Sequence, residues 1–219
     1  MKAVVGLEKK VKKVDTGKEI AVEPGEVFAT LELIVRNSDG EITEHRKLKP
    51  KSFVRQFLEL LYAQACGLDA YSMYAVAEIT DITDTDRPVD AHSKMFACNA
   101  AAENVNNGVV VGTDDGTITA KSVDNNKLGA QIGHGTGDGQ LQYSAVVFGD
   151  PAASATTSQF RITRDFANGS GGSIDVHEIG LYVSDGTYNY MTIRDILGSA
   201  IAVPAGQTLT VNYQIQANI

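Results

Sequence analysis

Few residues in this chain have the types and spacing that a bound metal or a reaction requires. The densest group of candidate ligands is a set of four aspartates within one short run: Asp81, Asp84, Asp86 and Asp90. Carboxylates at short spacing can hold Ca²⁺, which takes six to eight oxygen ligands. The run departs from the EF-hand pattern, because it has no central glycine and no closing glutamate. We therefore predict that these carboxylates are solvated and that the chain binds no metal.

A second candidate is the glycine-rich segment 133–139, in which glycines occupy alternate positions. A phosphate-binding loop is followed by the N-terminus of a helix, and the P-loop also needs a lysine. Here a strand is predicted to follow, and the nearest lysine, Lys127, lies upstream. The segment is therefore interpreted as a tightly turned surface loop, and no organic cofactor is expected.

No arrangement typical of catalysis is visible. The histidines are far apart: His45, His92, His134 and His177. No HExxH or GxSxG motif occurs. The pairs Arg164-Asp165 and Arg194-Asp195 are interpreted as strand-edge charges that form ion pairs or point to water. We therefore predict that the protein is not an enzyme; the enzymatic alternative is a glycan hydrolase with paired carboxylates.

The chain has two cysteines, Cys66 and Cys98, and they are widely spaced. Two such cysteines form neither a zinc site nor a disulfide framework. Cys66 comes at the end of a predicted helix, where a buried free thiol is the usual state of a cysteine.

The elements that position these residues are mostly strands. Phe160, Ile162 and Phe166 share one parity, and residues 209–215 alternate without a break, so one set of side chains faces a core. Strands are predicted at 28–36, 41–48, 71–79, 109–113, 141–148, 160–166, 179–183, 188–193 and 209–215. The spacing of these strands is typical of a sandwich.

One helix is predicted, from about residue 52 to residue 66. Ser52 is its expected N-cap, and Gly67 its C-terminal cap. Its apolar stripe consists of Phe53, Phe57, Leu60, Leu61 and Gln64, with Val54, Leu58 and Ala65 at its sides. We expect this stripe to pack into the protein interior or against another subunit, with Phe53, Phe57 and Leu61 as interface candidates.

Residues 1–26 are interpreted as an extended N-terminal arm that precedes one domain at 27–219. Residues 1–51 carry 11 Lys/Arg and 9 Asp/Glu, whereas residues 52–219 carry 8 and 18. An acidic body argues against a nucleic-acid surface. The basic run of the arm provides further interface candidates: Lys9, Lys10, Lys12 and Lys13. No secretory signal and no membrane span are visible, so assembly in a cytoplasm is expected.

Several segments of the chain share a common style of strand and turn residues: Val109-Val110-Val111-Gly112-Thr113, Gly139-Gln140-Leu141-Gln142-Tyr143, Phe160-Arg161-Ile162-Thr163-Arg164-Asp165-Phe166, Asn168-Gly169-Ser170-Gly171-Gly172, Glu178-Ile179-Gly180-Leu181-Tyr182, Ile193-Arg194-Asp195 and Val203-Pro204-Ala205-Gly206-Gln207-Thr208-Leu209-Thr210-Val211. Together with Ser52-Phe53-Val54-Arg55-Gln56-Phe57-Leu58, this pattern resembles the virion proteins of tailed bacteriophages over residues 28–219. The resemblance implies a non-enzymatic structural subunit, such as a head decoration, turret or tail-associated protein, and it transfers no catalytic residue.

The expected fold is mainly β: an antiparallel, jelly-roll-like β-sandwich with one α-helix and the N-terminal arm. The expected function is to decorate or join the capsid or tail of a virion. The expected partners are further copies of the chain and the major capsid protein or other virion proteins. The alternative is a receptor- or carbohydrate-binding protein of a fibre or tail tip, with Tyr182, Tyr188 and Tyr190 supplying an aromatic surface.

Overall fold

Antiparallel sheets and one helix make up the part of the chain that the computed structural model describes, which is residues 27–48, 53–66, 78–88, 96–113 and 122–218. The strands and the helix are β1 (Val27–Arg36), β2 (Ile42–Leu48), α1 (Arg55–Cys66), β3 (Glu78–Thr80), β4 (Asp86–Pro88), β5 (Gly108–Gly112), β6 (Gln142–Tyr143), β7 (Val147–Phe148), β8 (Ala152–Ala153), β9 (Thr157–Ala167), β10 (Ile174–Ser184), β11 (Asn189–Val203) and β12 (Thr208–Asn218). The mainly β, antiparallel architecture with a single described helix agrees with the prediction. The arm at 1–26 lies outside the described residues.

The larger sheet has seven strands, with the order β2-β1-β12-β9-β6 and with β7 and β8 also paired to β9. The turn between β1 and β2 contains Gly40, whose φ of +79° suits glycine. The strands predicted at 28–36 and 41–48 are β1 and β2, which pair antiparallel as a hairpin. The predicted final strand is β12, which lies between β1 and β9.

The smaller sheet has three strands in the order β11-β10-β5, and β3 with β4 forms a separate hairpin. The strands predicted at 179–183 and 188–193 lie within β10 and β11, which pair antiparallel. β11 continues to Val203, well beyond the predicted end at residue 193. The predicted strand at 71–79 is described only at its end, where β3 lies.

The predicted strand at 141–148 is interrupted in the structure. It forms the two short strands β6 and β7, both paired to β9. Between them the chain leaves the ladder, because Val146 N–H donates to Ala100 O at 2.8 Å and the Ser144 carbonyl accepts from the side chain of Arg164.

Both sheets contribute side chains to one buried core. Members from the larger sheet include Leu31, Leu33, Ile162, Phe166, Val211 and Tyr213, and members from the smaller sheet include Val109, Val111, Val176, Ile179, Leu181 and Ile201. A second, smaller cluster lies beneath α1 and contains Leu60, Ala63, Ile79, Val183 and Tyr190.

The helix begins at Arg55, three residues later than the predicted N-cap. Phe53 forms an antiparallel bridge with Ile193, and Val54 N–H donates to Thr192 O at 3.1 Å, so these residues extend the edge of β11. The first turn starts where Arg55 N–H donates to Val123 O at 2.8 Å.

The buried side of α1 also differs from the predicted stripe. Leu60 and Ala63 are buried, together with the polar Gln56, whereas Leu61 and Gln64 are exposed. The helix is therefore rotated relative to the prediction, because contact with β11 and β3 favours the 56/60/63 face. Among the described residues, no helix has the length and apolar character needed to cross a membrane.

Candidate functional site

Arg164 occupies the middle of β9 and points into the protein. It has the same parity as Ile162 and Phe166, and all three side chains are buried. Its guanidinium donates five hydrogen bonds of 2.7–3.1 Å to backbone carbonyls: those of Ser144, Asn107, Val109, Ala101 and Asn104. All five of its N–H donors are therefore used.

The guanidinium also lies 4.8 Å from the ring centroid of Tyr143. Burial lowers the pKa of Arg164 to about 10, so the group stays charged at neutral pH. The expectation that Arg164 is a strand-edge charge that pairs or points to water is wrong. Only Asp165 of this pair is exposed, where it accepts a hydrogen bond of 2.6 Å from Thr210. A buried cation instead ties the segment 101–109 to β9.

A second buried charge lies between neighbouring strands of the smaller sheet. Arg194 Nη2 donates to Glu178 Oε1 at 2.7 Å, and both side chains are almost fully buried. The other carboxylate oxygen of Glu178 accepts from Gly129 N–H at 2.8 Å, and Arg194 Nη1 donates to Asn125 at 2.7 Å. The pairing expected for Arg194 is present, but in the interior rather than at a strand edge.

Asp195 is also buried, and it accepts a hydrogen bond of 2.9 Å from the Tyr213 hydroxyl. This contact joins β11 of the smaller sheet to β12 of the larger one. Burial, and then the nearby charge of Asp195, raise the pKa of Tyr213 well above its usual value. Each of these buried charged side chains forms hydrogen bonds with other groups of the protein. These hydrogen bonds stabilise the loops and the packing of the two sheets.

The acidic run at 81–90 folds mainly into the β3–β4 hairpin. The Asp81 carboxylate accepts from Thr83 N–H at 2.7 Å, Thr83 Oγ1 at 2.6 Å, Thr85 N–H at 3.2 Å and Arg87 Nε at 2.8 Å. Burial opposes ionisation of this carboxylate, but the hydrogen bonds from Thr83 and Arg87 outweigh burial and lower the pKa of Asp81.

The other described aspartates of the run also have protein partners. Asp84 accepts from Lys127 and from Asn126, and these hydrogen bonds lower its pKa. Asp86 accepts from Thr80 Oγ1 at 2.7 Å, and Asp90 lies outside the described residues. Calcium would have to displace these donors from Asp81, whose carboxylate has about four acceptor positions. No group of three potential metal ligands occurs within the described ranges.

The glycine-rich segment 133–139 is a turned loop that leads into β6. Gly139 has a φ of +72°, and Gly137 N–H donates to Gln140 Oε1 at 3.1 Å. An open groove of about 490 Å³ separates this loop from the 168–173 turn and is lined by Asp138, Gly139 and residues 170–174. A strand follows the loop, as predicted, so the segment lacks the helix N-terminus of a phosphate cradle.

The tyrosines considered for a carbohydrate surface do not form one. Tyr182 is buried, and its hydroxyl accepts from Leu128 N–H at 2.9 Å. Tyr190 is fully buried beside Phe96, with ring centroids 6.2 Å apart. Tyr188 is half-buried, and Arg87 lies 4.3 Å from its ring centroid. The three rings therefore present no shared exposed face.

Cys98 is half-buried and free, and burial raises the pKa of its thiol to about 11. A thiol with a raised pKa is a poor nucleophile at neutral pH. The side chain of Cys66 lies outside the described part of the structure.

The predicted interface residues fall into three groups. Lys9, Lys10, Lys12 and Lys13 lie outside the described residues. Phe53 and Phe57 are half-buried and stack with their ring centroids 4.1 Å apart, and Phe53 packs against the main core. Leu61 is 56% exposed and lies one turn from Leu58, which is 63% exposed. We call the surface formed by Leu58 and Leu61 the outer helix face.

A second exposed apolar surface lies where the inner face of the larger sheet ends. Paired rows across the sheet place Ala29, Ile215 and Phe160 side by side, and place Phe148 beside Ile162. Ala29 and Ile162 are buried, whereas Phe160 is 39% and Phe148 45% exposed. We call the surface formed by Val27, Phe148 and Phe160 the open end. Sequence reasoning missed it, although the parity of Phe160 had placed this residue on the inner face.

Comparison of the chain with protein-family models, with curated proteins and with solved structures finds no match.

Proposed function

We propose that this chain is a non-enzymatic structural subunit of a tailed-phage virion that decorates or joins the capsid or tail. We further propose that its two sheets form a β-sandwich, since they share one core. The jelly-roll form of that sandwich stays a prediction. The virion assignment starts from the resemblance in sequence, and the surface of α1 supports it.

The observation that carries the proposal is the outer helix face. Leu58 and Leu61 are largely exposed on a helix whose opposite side is anchored by the buried Leu60 and Ala63. When a partner covers such apolar surface, the free energy of association becomes more favourable by roughly 25 cal/mol for each Å² removed from water. We assign a protein of the virion shell or tail as the partner of this face.

The buried charges fit the same role. Arg164 and the Glu178–Arg194 pair hold loops around the core through hydrogen bonds. All three of these charged side chains are buried. A subunit whose loops are held in one arrangement presents a preorganised surface, which lowers the ordering cost of association. The half-buried aromatic pair of Phe53 and Phe57 lies at the start of the same helix.

The experiment is a binding titration with particles that lack this protein, read by co-sedimentation. The variant L58S/L61S should bind about tenfold or more weakly, because each leucine loses apolar burial of about 1.5–3 kcal/mol. Val147→Ser is the matched control, since Val147 is 61% exposed on β7, outside the helix. Equal binding of the wild-type protein, L58S/L61S and V147S would contradict the assignment of the outer helix face.

The carbohydrate-binding alternative has lost its proposed aromatic surface, because Tyr182 and Tyr190 are buried. Its remaining support is the groove lined by Asp138 and residues 170–174, whose polar groups suit hydroxyl-rich ligands. Saturable binding to a defined glycan on an array, together with no binding to any particle, would favour this alternative.

A further inference from the structure

The chain contains two Asn-Gly pairs, Asn107-Gly108 and Asn168-Gly169. In such a pair the backbone nitrogen of the glycine can attack the side-chain carbonyl carbon of the asparagine, because glycine has no Cβ to obstruct the approach. Ammonia leaves, and a cyclic imide, the succinimide, then joins the two residues. The two pairs are identical in sequence, so the fold determines which of them is arranged to react.

At Asn107 the two reacting groups are in contact. Gly108 N–H donates to Asn107 Oδ1 at 2.7 Å. Oδ1 is bonded to Cγ by a C=O bond of about 1.23 Å, so the nitrogen lies no more than about 3.9 Å from the carbon that it would attack. The N–H points at the side-chain amide, and the lone pair that remains after loss of the proton points there as well.

The surrounding structure holds Gly108 in this position. It pairs with Tyr182 in the ladder between β5 and β10. Its φ of +76° suits glycine, and a Cβ at this position would lie 2.6 Å from Val146 Cγ2, so a side chain would not fit. Most of the ordering that the attack on Asn107 requires is therefore already present in the fold.

Arg164 is placed to activate the Gly108 nitrogen. Loss of its proton puts negative charge on the peptide group between the two residues, and amide resonance shares that charge with the Asn107 carbonyl oxygen. Arg164 Nη1 donates to this oxygen at 3.0 Å in the interior, where charges interact more strongly than in water. The buried guanidinium therefore favours the deprotonated, nucleophilic form of the nitrogen.

The second pair has a different arrangement. Asn168 Oδ1 accepts from Ser170 N–H at 2.9 Å and from Ser170 Oγ at 2.7 Å. Asn168 Nδ2 donates to Gly172 O and Val203 O at 2.8 Å and 2.6 Å. These hydrogen bonds hold the side-chain amide on groups other than the Gly169 nitrogen, and an attack by that nitrogen would have to break them. Asn168 is therefore an internal control for Asn107.

We propose that Asn107 is a site of spontaneous modification, at which it cyclises with Gly108 to a succinimide. A bond forms between the Gly108 nitrogen and Asn107 Cγ, the bond from Cγ to Nδ2 breaks, and Nδ2 leaves as ammonia with the proton lost from Gly108. Water opens such a ring to aspartate or isoaspartate, but Asn107 is only 8% exposed, so the ring should accumulate. This inference does not depend on the proposed function.

The test follows freshly purified full-length protein at neutral pH over time. Samples are digested with a protease that is active in acid, and the masses of the peptides are measured. In the folded wild type, the peptide with Asn107 should lose the mass of ammonia about tenfold or more faster than the peptide with Asn168. In concentrated urea the two pairs should react at similar rates, because only the folded chain positions them differently.

Two variants locate the cause. Asn107→Gln lengthens the side chain by a methylene group and should abolish the loss of ammonia at position 107, while Asn168 reacts as in the wild type. Arg164→Lys keeps a positive charge but loses the fixed geometry of the guanidinium, so the reaction at Asn107 should slow several-fold. Circular dichroism checks that both variants are folded, and the comparison of folded with urea-unfolded wild type needs neither variant.

Three results would overturn the inference: an Asn107 that stays unmodified in the folded protein while the unfolded chain reacts, equal rates at both pairs in the folded protein, or a preference for Asn107 that persists in urea. Isoaspartate at position 107 counts as a ring that has opened, whereas aspartate without isoaspartate would indicate direct hydrolysis and contradict the ring. An unchanged rate in folded Arg164→Lys would contradict activation by Arg164.

Discussion

Arg194 and Glu178 form an ion pair of 2.7 Å in the interior, on neighbouring strands of the smaller sheet. The Glu178 carboxylate also accepts from Gly129 N–H, so the pair connects the sheet to the loop at 125–129. Buried pairs of this kind stabilise a fold weakly as a whole but are costly to break, because the remaining charge has no partner.

Replacing Arg194 with Met should therefore destabilise the protein by about 3–5 kcal/mol. The double variant R194M/E178M should lose less than the sum of the two single variants, since it leaves no unpaired charge. Urea denaturation of the four proteins gives the coupling free energy directly. Additive single effects would show that the two side chains act independently and would contradict the pair.

Arg164 should be at least as sensitive as Arg194. Arg164→Met leaves five backbone carbonyls without their donor, and each unsatisfied buried group costs about 1–3 kcal/mol before relaxation. Arg164→Lys keeps the charge but offers three donors in place of five, so its stability should lie between those of Arg164→Met and the wild type. Denaturant midpoints measure this order, and equal stability of Arg164→Lys and the wild type would contradict the five-bond arrangement.

Much of the fold followed from the alternation of apolar residues, because one face of each sheet is buried. That rule correctly predicted β12 from residues 209–215. Applied to Arg164, the same rule would place it inside, since this residue shares its parity with Ile162 and Phe166. Its charge led to the opposite expectation. Its burial depends on the carbonyl of Ser144 and on four carbonyls of the 101–109 segment, which is distant in sequence.

The helix shows a second limit of sequence reasoning. Apolar residues occur on more than half of its circumference, so the pattern did not distinguish a face with Leu60 and Ala63 from one with Phe57 and Leu61. Contact with β11 and β3 selects the former and leaves Leu58 and Leu61 exposed. The open end was likewise invisible, because it depends on where the smaller sheet stops covering the larger one.

Leu60 and Leu61, which are adjacent in α1, provide a matched pair for measuring which face of the helix is buried. Leu60→Ala should cost about 2–5 kcal/mol, because the side chain is buried beside Ile79 and Tyr190. Leu61→Ala should change stability by about 0.5 kcal/mol or less, as is usual for exposed positions. Thermal denaturation measures the stability of both variants. A larger loss of stability for Leu61→Ala than for Leu60→Ala would show that the helix is rotated toward the predicted stripe.

Asp81 gives a pH dependence whose sign follows from its hydrogen bonds. Its pKa in the folded protein lies below the ordinary value of 3.8, so the folded state binds the proton less readily than the unfolded state. The stability contributed by Asp81 is therefore fully present well above pH 3.8 and is lost as the pH falls through and below that value.

The variant Asp81→Asn removes this titration. The stability difference between the wild type and Asp81→Asn should stay constant from about pH 6 to pH 5 and shrink as the pH falls below 3.8. Asp165→Asn serves as the control, since Asp165 is exposed on β9. A stability difference that grows on acidification would contradict the hydrogen-bonded state of Asp81. Addition of Ca²⁺ should leave the melting temperature of the wild type unchanged.

We propose that this chain is a structural part of a virion. The most direct measurement incubates purified wild-type protein with particles assembled without it and images them by electron microscopy. We predict new density at symmetry-related positions on the capsid or tail, at stoichiometric occupancy, with the outer helix face toward the particle. Particles that stay bare at saturating protein, while L58S/L61S and the wild type behave alike, would contradict the account.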